Sequence, residues 1–200
     1  RLDPPGFDRM RWLAEKVLKS IGWEFVGVPP EAPQFIVVGA PHTSNWDFIV
    51  FLAAISHWGM RPKYLGKHTL FEGPFGWLFR RWGGIPVDRT KPGGLIQAVS
   101  REFARSESFA LVIAPEGTRK FTTRWKSGFL KIAEATGAPI VPARINYETK
   151  QVTLGGPIAF DGSVEPVMDT LRAFFAMGRG RNPEGAGTVA LRGESPSGMS

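Results

Sequence analysis

The run Phe109-Ala110-Leu111-Val112-Ile113-Ala114 is apolar at every position. A strand with one wet face alternates polar and apolar residues. An unbroken apolar run must instead be covered on both faces, as in sheets whose crossovers lay helices on each side. Phe35-Ile36-Val37-Val38-Gly39 has the same character and is ended by Pro41. Segments with helical spacing lie between such runs. The alternation predicts an α/β fold: a single domain with a mixed, largely parallel sheet flanked by helices, preceded by an N-terminal amphipathic helix.

Strands are expected over 23–26, 35–39, 63–66, 85–88, 109–114, 139–146 and 151–154. Helices are expected over 7–23, 46–58, 93–106, 127–136 and 164–177, with helical pieces over 69–83 broken at Gly73-Pro74. In the first helix Phe7, Met10, Ala14, Val17, Leu18 and Ile21 recur at helical spacing. Asp8, Arg9, Arg11, Glu15, Lys16 and Lys19 populate the other side. Such a helix can pack on the domain or lie in a lipid interface. The chain divides into this helix (1–23), a main domain (24–178) and a Gly-, Pro-, Ser- and Arg-rich stretch (179–200) expected to be a disordered tail.

Two hundred residues suffice for one sizeable core. The absence of cysteine excludes disulfides, thiolate zinc sites and cysteine nucleophiles, and fits a cytoplasmic location. No signal peptide is expected from the opening residues, and no apolar stretch of about 18 residues is present to span a bilayer. Charge is unevenly spread. Between Arg61 and Lys131 the chain carries fourteen Lys or Arg against five Asp or Glu, a balance of +9, while the rest sums to −2. That stretch favours anionic partners. Seven tryptophans, several beside cations (Arg11-Trp12, Arg80-Arg81-Trp82, Arg124-Trp125-Lys126), suit a membrane–water interface as well as a core.

Chemistry concentrates at strand ends, where α/β sheets place their sites. After the first apolar strand comes His42-Thr43-Ser44-Asn45-Trp46-Asp47. Asp47 falls in the first turn of the next helix and can reach back to the imidazole, fixing its tautomer and leaving the other nitrogen as a base. An acid there can also simply cap the helix, and His42 can be a polar loop residue. After the second comes Pro115-Glu116-Gly117-Thr118-Arg119, a glycine turn followed by a potential anion grip. Gly83-Gly84-Ile85-Pro86-Val87-Asp88-Arg89 and Leu65-Gly66-Lys67 each deliver a cation to a strand end, as ordinary surface residues also would. Read together, they suggest deprotonation of a hydroxyl on a phosphorylated substrate. The G-x-S-x-G, Walker, dinucleotide and H-E-x-x-H patterns are absent, and His42, His57 and His68 lack metal-ligand spacing. No metal and no cofactor is expected.

These blocks resemble the glycerolipid acyltransferases typified by 1-acylglycerol-3-phosphate (lysophosphatidate) acyltransferase. The first block is H-x-x-x-x-D, His42 to Asp47. The second is the strand Ile85 to Arg89 and the third is P-E-G-T-R, Pro115 to Arg119. The fourth is Ile140-Val141-Pro142. The resemblance covers about residues 35–145. It departs from many members in the Thr-Ser-Asn-Trp run inside the first block and in a short C-terminal portion. It implies direct transfer of an acyl group from acyl-CoA or acyl carrier protein to a lysophospholipid or glycerol-phosphate hydroxyl or, as the alternative, to a lyso-aminolipid or glycolipid acceptor. His42 would be the base and Asp47 its orienting acid. Glu116 and Gly117 would lie near oxyanion donors, and Lys67, Arg89 and Arg119 would form the phosphate site. Phe48, Phe51, Leu70, Phe71, Phe75 and Trp77 are candidates for an acyl groove. The expected setting is peripheral, on the anionic inner face of a membrane, with no nucleic acid bound.

Overall fold

A computed structural model of the chain describes residues 5–81, 83–87, 94–118 and 121–191. Its core is a seven-stranded sheet in the order β1-β7-β6-β2-β5-β3-β4. The strands are β1 (Glu24–Val26), β2 (Gln34–Ala40), β3 (Pro62–Lys67), β4 (Gly84–Val87), β5 (Phe109–Ile113), β6 (Ile140–Asn146) and β7 (Gln151–Leu154). All neighbours run parallel except β6 and β7. The sheet is therefore mixed and largely parallel, as the unbroken apolar runs require.

The helices are α1 (Pro5–Ser20), α2 (Trp46–His57), α3 (Thr69–Glu72), α4 (Gly76–Arg81), α5 (Gly94–Arg105), α6 (Gly128–Thr136) and α7 (Val164–Phe175). They cover both faces. Ile36, Val38 and Ala40 of β2 join the cluster of Val99, Phe103, Phe129, Ile132, Met168 and Leu171 from α5, α6 and α7. Phe35 and Val37, on the alternate side, pack with Leu52 and Ile55 of α2. The two-residue period of β2 thus separates two cores. The expected break at Gly73-Pro74 falls between α3 and α4.

The first helix ends sooner than its periodicity suggests. Gly22 has φ +88°, its N–H donates to Lys19 O at 3.1 Å, and the Trp23 N–H donates to Leu18 O at 3.0 Å. This paired closure requires a left-handed residue, which glycine supplies without a Cβ penalty. The face that α1 buries also differs from the simple apolar one. Leu18 and Arg11 are buried and Ala14 and Glu15 partly so, while Met10, Leu13, Val17 and Ile21 are exposed. The Arg11 guanidinium donates to Ile55 O and Met60 O at 3.0 and 2.6 Å, satisfying carbonyls at the end of α2. Glu15 accepts from Ser56 Oγ at 2.9 Å and lies 3.1 Å from His57 Nδ1. Hydrogen bonding, which periodicity ignores, decides which side faces in.

The expected tail is corrected over its first half. Residues 179–191 pack back onto the domain. Arg179 N–H donates to Ile145 O at 3.1 Å, and Tyr147 N–H donates to Arg179 O at 2.9 Å. Trp125 N–H donates to Ala190 O at 2.7 Å, and Ala190 and Leu191 are buried. Gly-rich composition argues for disorder only where backbone groups find no partners; here they do. Residues 192–200 lie outside the described residues. Trp125, a candidate interface residue in the sequence, is instead the largest fully buried side chain. Trp12 is exposed as that reading requires, and Trp82 is outside the described residues.

Candidate active site

The carboxyl ends of β2, β5 and β6 bring three segments together. β2 delivers His42, β5 delivers Glu116 and β6 delivers Tyr147. Asp47, in the first turn of α2, sits among them and is buried. Its carboxylate accepts four hydrogen bonds. Oδ2 accepts from Thr43 N–H at 2.8 Å and Ser44 N–H at 2.9 Å, and lies 3.1 Å from His42 Nδ1. Oδ1 accepts from Tyr147 Oη at 2.7 Å. Asp47 closes the backbone at the start of α2, and it also meets the imidazole.

Burial opposes the charge on Asp47. The bonds from His42, Tyr147 and Ser44 outweigh it, and they hold the carboxyl below the usual aspartate value. An ionised carboxylate can only accept, so His42 Nδ1 carries the proton. In the neutral imidazole Nε2 is then the acceptor, on a side chain that is 34% exposed, against 8% for Asp47. A base with one nitrogen fixed and the other open is the geometry of proton abstraction.

Glu116 is the second buried acid, and its environment acts the other way. Burial pushes its carboxyl up to about 7. The His42 backbone N–H, donating to Oε2 at 2.9 Å, opposes this, and the nearby Asp47 charge adds to the rise. One carboxylate has four donors and the other one, and their proton affinities separate accordingly. The folded protein thus holds a proton on Glu116 between its ordinary value of 4.5 and about 7, where the unfolded chain has released it. Stability from this group is present below pH 4.5 and lost as pH rises through 7. Glu116→Gln keeps an oxygen acceptor for His42 without titrating. Urea unfolding at pH 5 and pH 8 should show the variant gaining on the wild type at the higher pH, by up to about 3 kcal/mol. A difference unchanged across that range would refute the assignment.

Glu116 therefore braces the His42 backbone from across the site, a role the sequence did not suggest. Gly117 has φ +65°, and its N–H is taken by Ala114 O at 3.1 Å in the turn. That N–H is therefore engaged within the turn. The positive φ is what calls for glycine; the Lys126 side chain crosses the turn, and its Nζ, 2.6 Å from where a Cβ would lie, could swing aside.

Tyr147 is the functional residue the sequence reading missed. It lies a hundred positions from Asp47, and nothing in its local pattern marks it. Burial, followed by the hydrogen bond and charge of Asp47, holds its hydroxyl far above its ordinary value, with Arg181 opposing. It is a firm donor. Trp23 packs edge-on against its ring at 5.1 Å.

Of the cations assigned to a phosphate site, Lys67 is the last residue of β3, and its side chain is outside the described set. Arg89 and Arg119 lie outside the described residues altogether. The proposed groove residues do not behave alike. Phe71 is buried and packs against Phe79, Phe51 is partly buried, and Phe48, Phe75 and Trp77 are exposed. The side chain of Leu70 is not described. Among the described residues no three His, Asp or Glu side chains gather to hold a metal ion.

The His42–Asp47 pair lies within the part of the chain that matches a known family. Residues 27–146 match the Acyltransferase family, and the chain belongs to it. A 1-acyl-sn-glycerol-3-phosphate acyltransferase of Streptococcus pneumoniae is 28% identical over 141 residues, covering 68% of this chain and 47% of that protein. One from Cocos nucifera is 39% identical over 82 residues, covering 38% and 26%. The chain thus spans about half or less of the curated relatives it matches. The crystal structure of the 1-acyl-sn-glycerophosphate acyltransferase of Thermotoga maritima shares the fold. Its TM-score is 0.58 at 20% identity, with 84% of this chain and 76% of that chain covered.

Proposed function

We propose that this chain is an O-acyltransferase that moves a fatty acyl group from an acyl thioester, acyl-CoA or acyl carrier protein, to the free hydroxyl of a lysophosphatidate-type acceptor. The observation that carries this reading is the His42 Nδ1 to Asp47 Oδ2 contact, which leaves Nε2 open. Relatives named 1-acyl-sn-glycerol-3-phosphate acyltransferase support the acceptor class.

The acceptor hydroxyl gives its proton to Nε2 as its oxygen attacks the thioester carbon. A C–O bond forms and the C–S bond breaks. The imidazolium then returns the proton to the departing thiolate, so His42 ends unprotonated and no acyl-enzyme intervenes. Asp47, kept ionised by its four donors, stabilises the imidazolium while it exists. The experiment is lipid mass spectrometry after incubation with acyl-CoA and a panel of lysophospholipids. Acceptor-dependent release of CoA with a new diacyl product supports transfer. Release of CoA without acceptor makes the protein a hydrolase.

Such acceptors reside in bilayers, and we place the protein on the surface of an anionic membrane. No helix among the described residues is long and apolar enough to cross one. Support comes from Leu13 and Val17 of α1 and Ile21 just beyond its end, which are 56%, 50% and 52% exposed, with Trp12 beside them. Apolar insertion is not screened by salt, whereas attraction to anionic headgroups is. Leu13→Ser with Val17→Ser should weaken binding to anionic vesicles at high salt by about 10-fold or more, at roughly 0.8 kcal/mol per methylene withdrawn from lipid. Equal binding of variant and wild type across a salt series would remove α1 from the interface.

A further inference from the structure

The segment Gly178–Asn182, outside all four sequence blocks, reaches the catalytic loop. Asn182 grips Thr43 at two points: its N–H donates to Thr43 Oγ1 at 3.2 Å and its Nδ2 donates to Thr43 O at 3.0 Å. Gly180 is buried against the same residue, so closely that a Cβ would lie 2.6 Å from Thr43 Oγ1. On its other side the segment bonds to the exit of β6 through Ile145 O and Tyr147 N–H. It is therefore a strap joining the His42–Asp47 loop to the strand that carries Tyr147.

Between these anchors Arg181 is exposed, with its guanidinium 5.0 Å from the ring centre of Trp46, the residue before Asp47. Trp46 is itself 54% exposed, so the pair sits at the surface beside the base rather than in the core. Among the described residues no carboxylate forms an ion pair with Arg181. The charge is felt at the Tyr147 hydroxyl, which donates to Asp47. Holding a guanidinium on an aromatic face fixes it while leaving its N–H groups for a second partner, and that fork suits phosphate oxygens. Packing alone would explain the stacking. It would not explain why a cation that forms no ion pair with a carboxylate among the described residues is fixed beside a base whose proposed substrates are anionic.

We infer that Arg181, held on Trp46 by the 178–182 strap, is an anion-binding residue at the mouth of the active site and takes a phosphate group of one of the two substrates. The inference rests on the acyl-transfer reading for the nature of the anion. Either the acceptor's phosphate or the phosphates of CoA supply that chemistry.

The test is equilibrium binding, which needs no turnover. Calorimetry would measure a short-chain lysophosphatidate and CoA separately against wild type, Arg181→Ala and Arg181→Lys, with thermal melts confirming that the folds are equal. Loss of one charge-assisted contact should weaken one ligand by about 10-fold or more in the alanine variant, with lysine intermediate. Weakening of lysophosphatidate alone identifies the acceptor's phosphate; weakening of CoA alone identifies the thioester's. If both ligands bind the folded alanine variant within twofold of wild type, or neither binds the wild type, the inference is overturned. Acyl transfer by the wild type is scored separately, so its absence would count against the proposed function and not against the anion site.

Discussion

His42→Ala is expected to lower kcat/KM for acyl transfer by about 10² to 10⁴, the usual range for a general base, while the fold survives. The side chain is one-third exposed and touches Asp47 through a single contact, so its loss opens little cavity. The loop keeps its shape, because Thr43 N–H and Ser44 N–H still bind Asp47 and the His42 N–H still binds Glu116. Circular dichroism and urea midpoints close to wild type would show that the loss is chemical. A folded His42→Ala protein that turns over at near wild-type speed would end the mechanism proposed here.

Asp47→Asn is expected to fall almost as far, for a different reason. The amide offers one oxygen and one NH₂ group where the carboxylate offered two acceptors, and four donors converge on the site. One of them must meet a donor. If the oxygen stays with Thr43 and Ser44, then Tyr147 must turn its hydroxyl to accept from the amide, and the imidazole loses its charged partner. Nδ1–H is then no longer enforced, and the imidazolium formed in the transition state is left without a counter-charge. A loss of about 10² to 10⁴ in kcat follows, with the acceptor's KM little changed because Asp47 touches no substrate. Tyr147→Phe removes one donor of the four and should cost less, roughly 10-fold. A double variant no worse than Asp47→Asn alone would show that Tyr147 acts through Asp47; fully additive losses would separate them.

His42 and Asp47 were legible in the sequence because they share one strand–helix junction, where five positions of separation bring a first-turn acid back to the loop. Glu116 was visible as a residue but not in its role, since its bond to the His42 backbone depends on β5 lying beside β2 in register. Tyr147 could not be read at all. Only the pairing of Ala40 with Arg144, near the ends of neighbouring strands, brings its hydroxyl to Asp47. The strap was hidden by composition, for its order comes from backbone bonds that leave no hydrophobic pattern. One signal was available: Val189-Ala190-Leu191 is an apolar triplet in a polar stretch, and these residues pack on the main core. The strands and most helices were readable because a two-sided parallel sheet writes itself as unbroken apolar runs.

The inward face of α1 bears on how its role can be dissected. Arg11 supplies donors to two carbonyls at the end of α2, and Leu18 shares a buried cluster with Val50, Ala53 and Ala54. The start of that same α2 holds Asp47. A chain cut before residue 23 would lose more than a lipid contact. It would leave two peptide oxygens without their guanidinium and wet the side of the helix that carries the orienting acid at its far end. Loss of activity after such a cut would therefore say nothing about membranes. The helix is hinge plate and hull together, fastened to the catalytic scaffold on one side and facing outward on the other. Only changes confined to the outward side can separate the two.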